Sequence, residues 1–136
     1  MIMKRRGFTL IELLVVISII GILVAVGVVS YTRAIQISRD AKRKTDLEQI
    51  RQALETYRSE IGAYPATSGW QTALSPTYIT TMPTDPKGGS YDYKTTSTPA
   101  TTYIVCASLE LGGTTTLPAC SGLSCGGVCN YDVTNP

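Results

Sequence analysis

The sequence predicts an α+β fold, in which a long N-terminal helix packs on a small antiparallel β-sheet head with a disulfide-bonded C-terminal region. Three observations lead to this prediction. An apolar run at residues 8–29 continues into residues 31–61, which contain neither proline nor glycine. β-branched and aromatic residues recur after residue 90, and all four cysteines lie in the last third of the chain. We expect four segments: a short basic segment at residues 1–7, a membrane-spanning helix at 8–29, an amphipathic helix at 30–61 and a globular head at 62–136.

The apolar run carries a single charge, Glu12. About 20 apolar residues suffice to cross a bilayer as a helix. A carboxylate at the centre of a bilayer costs roughly 2.5–3.5 kcal/mol on insertion scales, so it marks a function by default. A cut between Gly7 and Phe8 would create a free amine one helical turn from Glu12. The pattern therefore predicts a membrane-buried amine–carboxylate pair, formed within one chain or between neighbours.

A secretory signal peptide or a plain membrane anchor would account for less of this segment. A signal peptide has a basic start and an apolar stretch, but this run is too long and lacks a clear A-x-A cleavage site. A plain single-pass anchor explains the length but neither Glu12 nor Gly7. Basic residues flank the run on both sides, three at residues 4–6 and five between residues 33 and 44. Because the first three lie nearer the membrane, we place the N-terminus inside.

The motif RGFTLIE at residues 6–12, followed by the long apolar run, resembles the leader and first helix of type IV pilins and of type II secretion pseudopilins. The resemblance implies that a prepilin peptidase cleaves after Gly7 and methylates the new Phe8 amine. It also implies that Glu12 contacts the Phe8 amine of an adjacent subunit during assembly. Subunits would wait in the cytoplasmic (inner) membrane, with the head outside, until a membrane assembly platform builds them into a helical filament of identical subunits.

Beyond the membrane segment the pattern is that of an amphipathic helix ending at Ile61. Apolar residues recur at spacings of three and four, and we expect this stripe to pack in the core. Its members are Leu47, Ile50, Leu54, Tyr57 and Ile61. Gly62 and Pro65 are natural end signals. The charged residues on the other faces form either a solvated surface or a subunit contact.

Gly21 and Gly27 interrupt the membrane segment. Each costs about 1 kcal/mol of helix stability relative to alanine in water. Close helix packing is one explanation. Local melting of the helix in a filament is another, implied by the resemblance. Many relatives have a proline in the stretch corresponding to residues 28–30, and this chain has none there, which counts against melting. Any melting that does occur is expected at residues 21–27.

After Gly62 the sequence predicts a connecting loop with one helical turn near residues 70–74, followed by three strands. The strands are placed at residues 91–94, 102–109 and 128–133, with a polar loop at 95–101. We expect Trp70 and the tyrosines to be core residues rather than ligand-stacking groups. The succession of tyrosine- and proline-containing segments from residue 64 to residue 93, followed by a strand ending at Glu110, resembles the head of the major pseudopilin and of related pilins.

The four cysteines predict two disulfides, because they lie beyond the membrane segment in an oxidising compartment. Zinc binding is the rival interpretation, but the C-x4-C-x3-C spacing differs from paired C-x2-C knuckles. Three pairings are open. We expect Cys106 to join Cys129, closing the tail onto the sheet, and Cys120 to join Cys125 in a glycine-rich loop.

Composition indicates neither an enzyme nor a nucleic-acid-binding surface. Removing residues 1–7 leaves nine basic against ten acidic residues, and residues 62–136 carry two lysines against four carboxylates. The chain has no histidine, and no activated nucleophile or paired carboxylates are evident. The pseudopilin resemblance implies a calcium site in the last loop, but Asp132 is the only nearby carboxylate, so we expect no metal and no cofactor.

The function predicted from these features is that of a structural subunit of a type IV pilus-like filament, assembled from the cytoplasmic membrane after leader cleavage. Two alternatives remain open. One is a type II secretion pseudopilin acting in the periplasm, and the other is a minor pilin acting as an adhesive or DNA-capturing module. The finished filament would lie at the cell surface or in the periplasm.

Overall fold

The computed structural model describes residues 7–95 and 99–135. Most of the predicted leader and part of the predicted loop at residues 95–101 lie outside these ranges. The chain forms two compact units, the first ending at Ile35 and the second beginning at Gln36. The elements in chain order are α1 (Leu10–Ile61), α2 (Trp70–Leu74), β1 (Asp92–Thr95), β2 (Tyr103–Ala107), a 3-10 turn (Pro118–Cys120) and β3 (Tyr131–Thr134). The predicted α+β class is confirmed.

Helix α1 is 52 residues long and is the one helix in the described residues that is long and apolar enough to cross a membrane. Its apolar N-terminal part is unburied. The helix ends as predicted at Ile61. The next residue, Gly62, has a φ of +87° and donates its N–H to the carbonyl of Arg58 at 2.8 Å. A left-handed glycine after the last turn satisfies carbonyls that would otherwise lack a donor.

Three members of the predicted stripe, Leu47, Ile50 and Leu54, are fully buried in the core of the second unit. Tyr57 packs against that core and is partly buried. Ile61 does not follow the prediction, because its side chain is 61% exposed. The chain leaves the helix directly afterwards, and Tyr64 takes a place in the core instead.

The sheet has the order β1-β2-β3, with both pairs antiparallel. All five residues of the central strand β2 are buried. One face, which includes Tyr93 and Tyr103, joins the core formed with α1. Trp70 stacks on Tyr93 with ring centroids 5.0 Å apart, so the prediction that Trp70 is a core residue is confirmed.

The four cysteines form two disulfides, as predicted, but the predicted pairing is wrong. Cys106 is joined to Cys120, and Cys125 is joined to Cys129. The register explains the difference, because β3 places Asp132 rather than Cys129 opposite Cys106. The 3-10 turn brings Cys120 into the buried cluster on the other face of the sheet, where it reaches Cys106.

Non-reducing peptide mapping tests this pairing. We expect a fragment that links Cys106 to Cys120, and a fragment that links Cys106 to Cys129 would contradict the pairing.

Removing the Cys106–Cys120 bond should cost roughly 3 kcal/mol of unfolding free energy, because it closes the longer loop. Removing the Cys125–Cys129 bond, which closes a much shorter loop, should cost roughly 2 kcal/mol. Paired serine variants compared by chemical denaturation measure the two values, and the reverse order would contradict the assignment.

Candidate functional site

The start of α1 holds the carboxylate that the sequence analysis singled out. Residues 7–9 precede the helix, and Phe8 is exposed at its entrance. The Glu12 carboxylate accepts hydrogen bonds from the Thr9 backbone N–H at 2.9 Å and from the Thr9 hydroxyl at 2.7 Å. The Glu12 backbone N–H lies 3.3 Å from the same hydroxyl oxygen. These reciprocal contacts form a capping box, which satisfies amides at the helix N-terminus.

Thr9 is the residue that the sequence analysis missed. The prediction gave Glu12 an amine partner at Phe8, whereas the described hydrogen bonds of the Glu12 side chain come from Thr9. In the uncut chain the Phe8 nitrogen is a peptide amide, not a charged amine. The T-x-x-E spacing before an apolar run is a known capping signature and could have identified Thr9. A carboxylate has about four lone-pair positions, so a further donor can still bind Glu12.

The surface around Glu12 is apolar and open. Phe8, Ile11, Val15 and Val16 line a shallow groove beside the carboxylate. The two glycines farther along the helix also face open space, since a Cβ at Gly21 or Gly27 would meet no atom within 4 Å. The packing of a single chain therefore does not require glycine at either position.

A cluster of charged residues, separate from Glu12, lies in the second unit and is here called the Arg43 cluster. Its members are Arg39, Asp40, Arg43, Asp85, Lys87 and Glu110. Arg43 donates two hydrogen bonds to Asp85, at 2.6 and 3.0 Å, and one each to Asp40 at 2.8 Å and Glu110 at 3.2 Å. Arg39 and Lys87 complete the shell around Glu110, at 2.6 and 3.0 Å. Three cations thus balance three carboxylates.

The Arg43 cluster ties distant parts of the chain to α1. Asp40 accepts the backbone N–H groups of Glu110 and Leu111, each at 2.9 Å, and so holds the turn that follows β2. Asn130 braces the same turn by accepting the Leu109 N–H at 2.7 Å. Asp85, bound to Arg43, belongs to the loop before β1. The cluster therefore joins the helix, this loop and the C-terminal region.

Asp40, Arg43 and Asp46 are buried, although the sequence analysis placed them on a solvated or subunit-contacting face. Their partners explain the difference, because Asp85, Glu110 and Tyr91 are distant in sequence and no local pattern connects them. Paired charges can be buried where isolated ones cannot. Of the five basic residues after the apolar run, Arg39, Lys42 and Arg43 are paired with carboxylates.

Acidification should destabilise the second unit through this cluster. The hydrogen bond from Arg39, with those from Lys87 and Arg43, lowers the pKa of Glu110 from 4.5 to about 2. The bond from Arg43 also lowers the pKa of Asp85. A carboxyl with a depressed folded-state pKa contributes stability above its unfolded pKa and loses it as the pH falls through the folded value.

We therefore expect the free energy of unfolding contributed by Glu110 to be fully present above about pH 4.5 and lost between there and about pH 2. Urea denaturation of the full chain in detergent at successive pH values measures it. The Glu110→Gln variant should be less stable at neutral pH and show a shallower pH dependence. An unchanged pH dependence in Glu110→Gln would contradict the role given to Glu110.

Comparisons with known proteins match both the N-terminal segment and the rest of the chain to protein families. Residues 2–28 match the family described as the prokaryotic N-terminal methylation motif, and residues 29–125 match the family described as type IV minor pilin ComP, DNA uptake sequence receptor. Type II secretion system core protein G of Pseudomonas aeruginosa is 35% identical over 108 residues, covering 67% of this chain and 76% of the relative. The corresponding protein of Vibrio cholerae is 33% identical, with 66% and 70% covered. Type IV major pilin protein PilA of Myxococcus xanthus is 38% identical over 61 residues, covering 45% and 28%.

The leader-and-helix motif, the single long helix and the disulfide-bonded antiparallel head define a protein of the pilin class. With matches over most of its length, the chain belongs to the type IV pilin and pseudopilin family. Its relatives are pilins and pseudopilins, which are structural proteins rather than enzymes. The apolar N-terminal helix fits membrane anchoring before assembly.

Proposed function

We propose that this chain is a structural subunit of a type IV pilus-like filament. The observation that supports the proposal most is Glu12, a carboxylate on an unburied apolar helix whose described partners come from Thr9 alone. A carboxylate in hydrocarbon is costly unless a cation neutralises it. Cleavage between Gly7 and Phe8 supplies such a cation, and a second copy of the chain can bring it to the open side of the carboxylate.

Assembly then follows from the chemistry of the segment. A prepilin peptidase removes residues 1–7 at the cytoplasmic face and methylates the Phe8 amine, which keeps its positive charge. The amine of one copy pairs with Glu12 of the next, and the membrane assembly platform lifts the pair out of the cytoplasmic membrane. The apolar helices then bury one another in the filament core. Gly21 and Gly27, which have open surroundings, allow close helix approach there.

A pseudopilin of a type II secretion system is the first alternative. The observation favouring it is that core protein G aligns over about two thirds of this chain, whereas the pilins align over less than half. The C-terminal region supports the pilus proposal instead. The pseudopilin resemblance implies a calcium site in the last loop, whereas here two disulfides, Asn130 and the Arg43 cluster brace this region. Among the described residues, no group of three or more His, Cys, Asp or Glu side chains is placed to hold a metal.

A minor pilin that captures DNA is the second alternative, favoured by the description of the family matched by residues 29–125. Charge argues against it. Residues 62–136 contain two lysines, and one of them, Lys87, is paired with Glu110. DNA binding depends on cations that neutralise phosphates. Electron microscopy and subunit counting separate the three functions. A long surface fibre made mainly of this chain supports the pilus subunit, and a short periplasmic fibre supports the pseudopilin. A fibre in which this chain is present only in trace amounts supports the minor pilin.

Replacing Gly7 with a bulky residue should block processing. In the Gly7→Leu variant we expect the full precursor to persist in the membrane and no fibre to form, because the peptidase must accommodate the residue before the cut. Intact mass of the membrane-extracted chain distinguishes precursor from product. Gly7→Ala serves as the matched control and should be cut. Normal trimming of Gly7→Leu would contradict the proposed cleavage site.

A further inference from the structure

An apolar groove lies where α1 meets the turn after β2 in the second unit. Ile37 and Ala41 on the helix and Leu109 and Leu111 on the turn line it, together with the charged residues Asp40 and Lys44. Ile37 is 53% exposed and Leu111 is 46% exposed. Exposed aliphatic side chains gathered in one groove, rather than scattered, are characteristic of an interaction surface.

Lys44 gives the rim of this groove its charge. Its amine lies 5.6 Å from the centre of the Tyr131 ring, and within the described ranges no carboxylate comes within ion-pair distance of it. The other lysine of this helix, Lys42, is paired with Asp46 at 3.2 Å. The Asp40 carboxylate in the lining is already bound by Arg43 and by two backbone N–H groups. The groove thus offers aliphatic surface beside the unpaired charge of Lys44, and its occupant should combine an aliphatic side chain with a negative charge.

The far end of the same helix has that combination. In the described part of the chain beyond residue 36, the large hydrophobic side chains left exposed are Ile37 and Leu111 of the groove, Ile61 and Val128. Ile61 lies next to Glu60, whose exposed carboxylate accepts a hydrogen bond from the Tyr78 hydroxyl at 2.6 Å. The carbonyl end of a helix carries a partial negative charge that adds to that of Glu60. Arg58 is turned away to the Tyr64 ring, 5.0 Å from its centre.

We propose that the Glu60–Ile61 end of one copy docks into the Ile37–Leu111 groove of a second copy, with Glu60 paired to Lys44. This inference rests on the proposed filament function. Because the donor and acceptor surfaces differ, the contact is head-to-tail, and a contact of this kind generates a fibre when its rotation does not close into a ring. The helix rises about 36 Å between Ile37 and Ile61 at about 1.5 Å per residue, so copies that dock with their helices parallel to the fibre axis are offset by ~36 Å along it.

A charge-swap experiment in cells tests the pair. Lys44→Glu and Glu60→Lys should each reduce fibre yield at least about tenfold, and the double variant should recover most of it, because the pair is restored with reversed sign. Lys94→Glu, an exposed lysine on β1, is the matched control and should assemble normally. Normal fibres from both single variants, or single defects that the double variant does not recover, would overturn the proposal.

Cross-linking tests the geometry independently of fibre yield. A chain carrying both Ile37→Cys and Ile61→Cys should give a ladder of covalent oligomers after treatment of fibres with a short bifunctional maleimide. Either single variant should give none, and neither should the control pair Val128→Cys with Ile61→Cys. If the double variant gives no ladder, the docking proposal is wrong. This holds also if the cause is lipid in the groove that shields the thiol at position 37 from a water-soluble maleimide, because the groove is then occupied by lipid and not by a second copy. The filament proposal is tested separately, by the fibres that the unmodified chain forms.

Discussion

Glu12→Gln is expected to abolish fibre growth while leaving membrane insertion and leader cleavage intact. Glutamine at this position can keep the capping box with Thr9, since Gln serves there as well as Glu. What it loses is the negative charge that neutralises the amine of the next copy. Removing one partner of an ion pair in a low-dielectric site leaves the other charge uncompensated, which shifts an assembly equilibrium by more than about tenfold. We expect at least a tenfold loss of fibre mass, measured by shearing and immunoblotting.

Two matched variants separate the charge from the cap. Glu12→Ala removes both and should fail to assemble while still inserting, because the run becomes wholly apolar. Thr9→Ser keeps the hydroxyl that caps Glu12 and should assemble normally. Wild-type fibre levels from Glu12→Gln would mean that Glu12 serves only as a helix cap.

Arg43→Ala is the substitution expected to damage the head most. It removes the cation shared by Asp40, Asp85 and Glu110 and leaves these carboxylates partly unpaired. Removing one partner of a buried ion pair costs roughly 3–5 kcal/mol, because the remaining charge stays buried without compensation. We expect a loss of that size in the unfolding free energy, measured by urea denaturation of the full chain in detergent.

Arg51 on the same helix provides the control for this experiment. Its side chain pairs with Glu48 at 2.7 Å, but the two are 39% and 44% exposed, whereas Arg43 is 3% exposed. An exposed pair of this kind contributes little to stability, because water screens it. Arg51→Ala should therefore lower the free energy of unfolding far less than Arg43→Ala. Equal losses from the two alanine variants would show that the Arg43 cluster does not hold the head together.

Local periodicity explains why much of the fold could be predicted. Spacings of three and four located Leu47, Ile50 and Leu54 in the core, and β-branched stretches located all three strands to within a few residues. Ile61 was misplaced because periodicity does not report where the head ends. The disulfide pairing was wrong because it depends on the register of β3 and the position of the 3-10 turn, which sequence spacing does not determine.

The residues of the candidate site were also predictable only where the signal is local in the sequence. Glu12 was recognisable because a charge in an apolar run is a local signal, and Thr9 carried a local signal that was overlooked. The Arg43 cluster had none, since Asp40 and Arg43 looked like ordinary helix-surface charges and their partners come from distant loops. The groove and the helix end proposed to meet between copies became visible only when exposure was known.

The pairing of Glu12 with a newly made amine requires that the chain in the filament begin at Phe8. Mass spectrometry of subunits released from purified fibres measures this directly. We expect an N-terminal peptide starting at Phe8 and carrying one methyl group on its amine. Fibres built from chains that still begin at Met1 would have no such amine and would contradict the proposed basis of assembly.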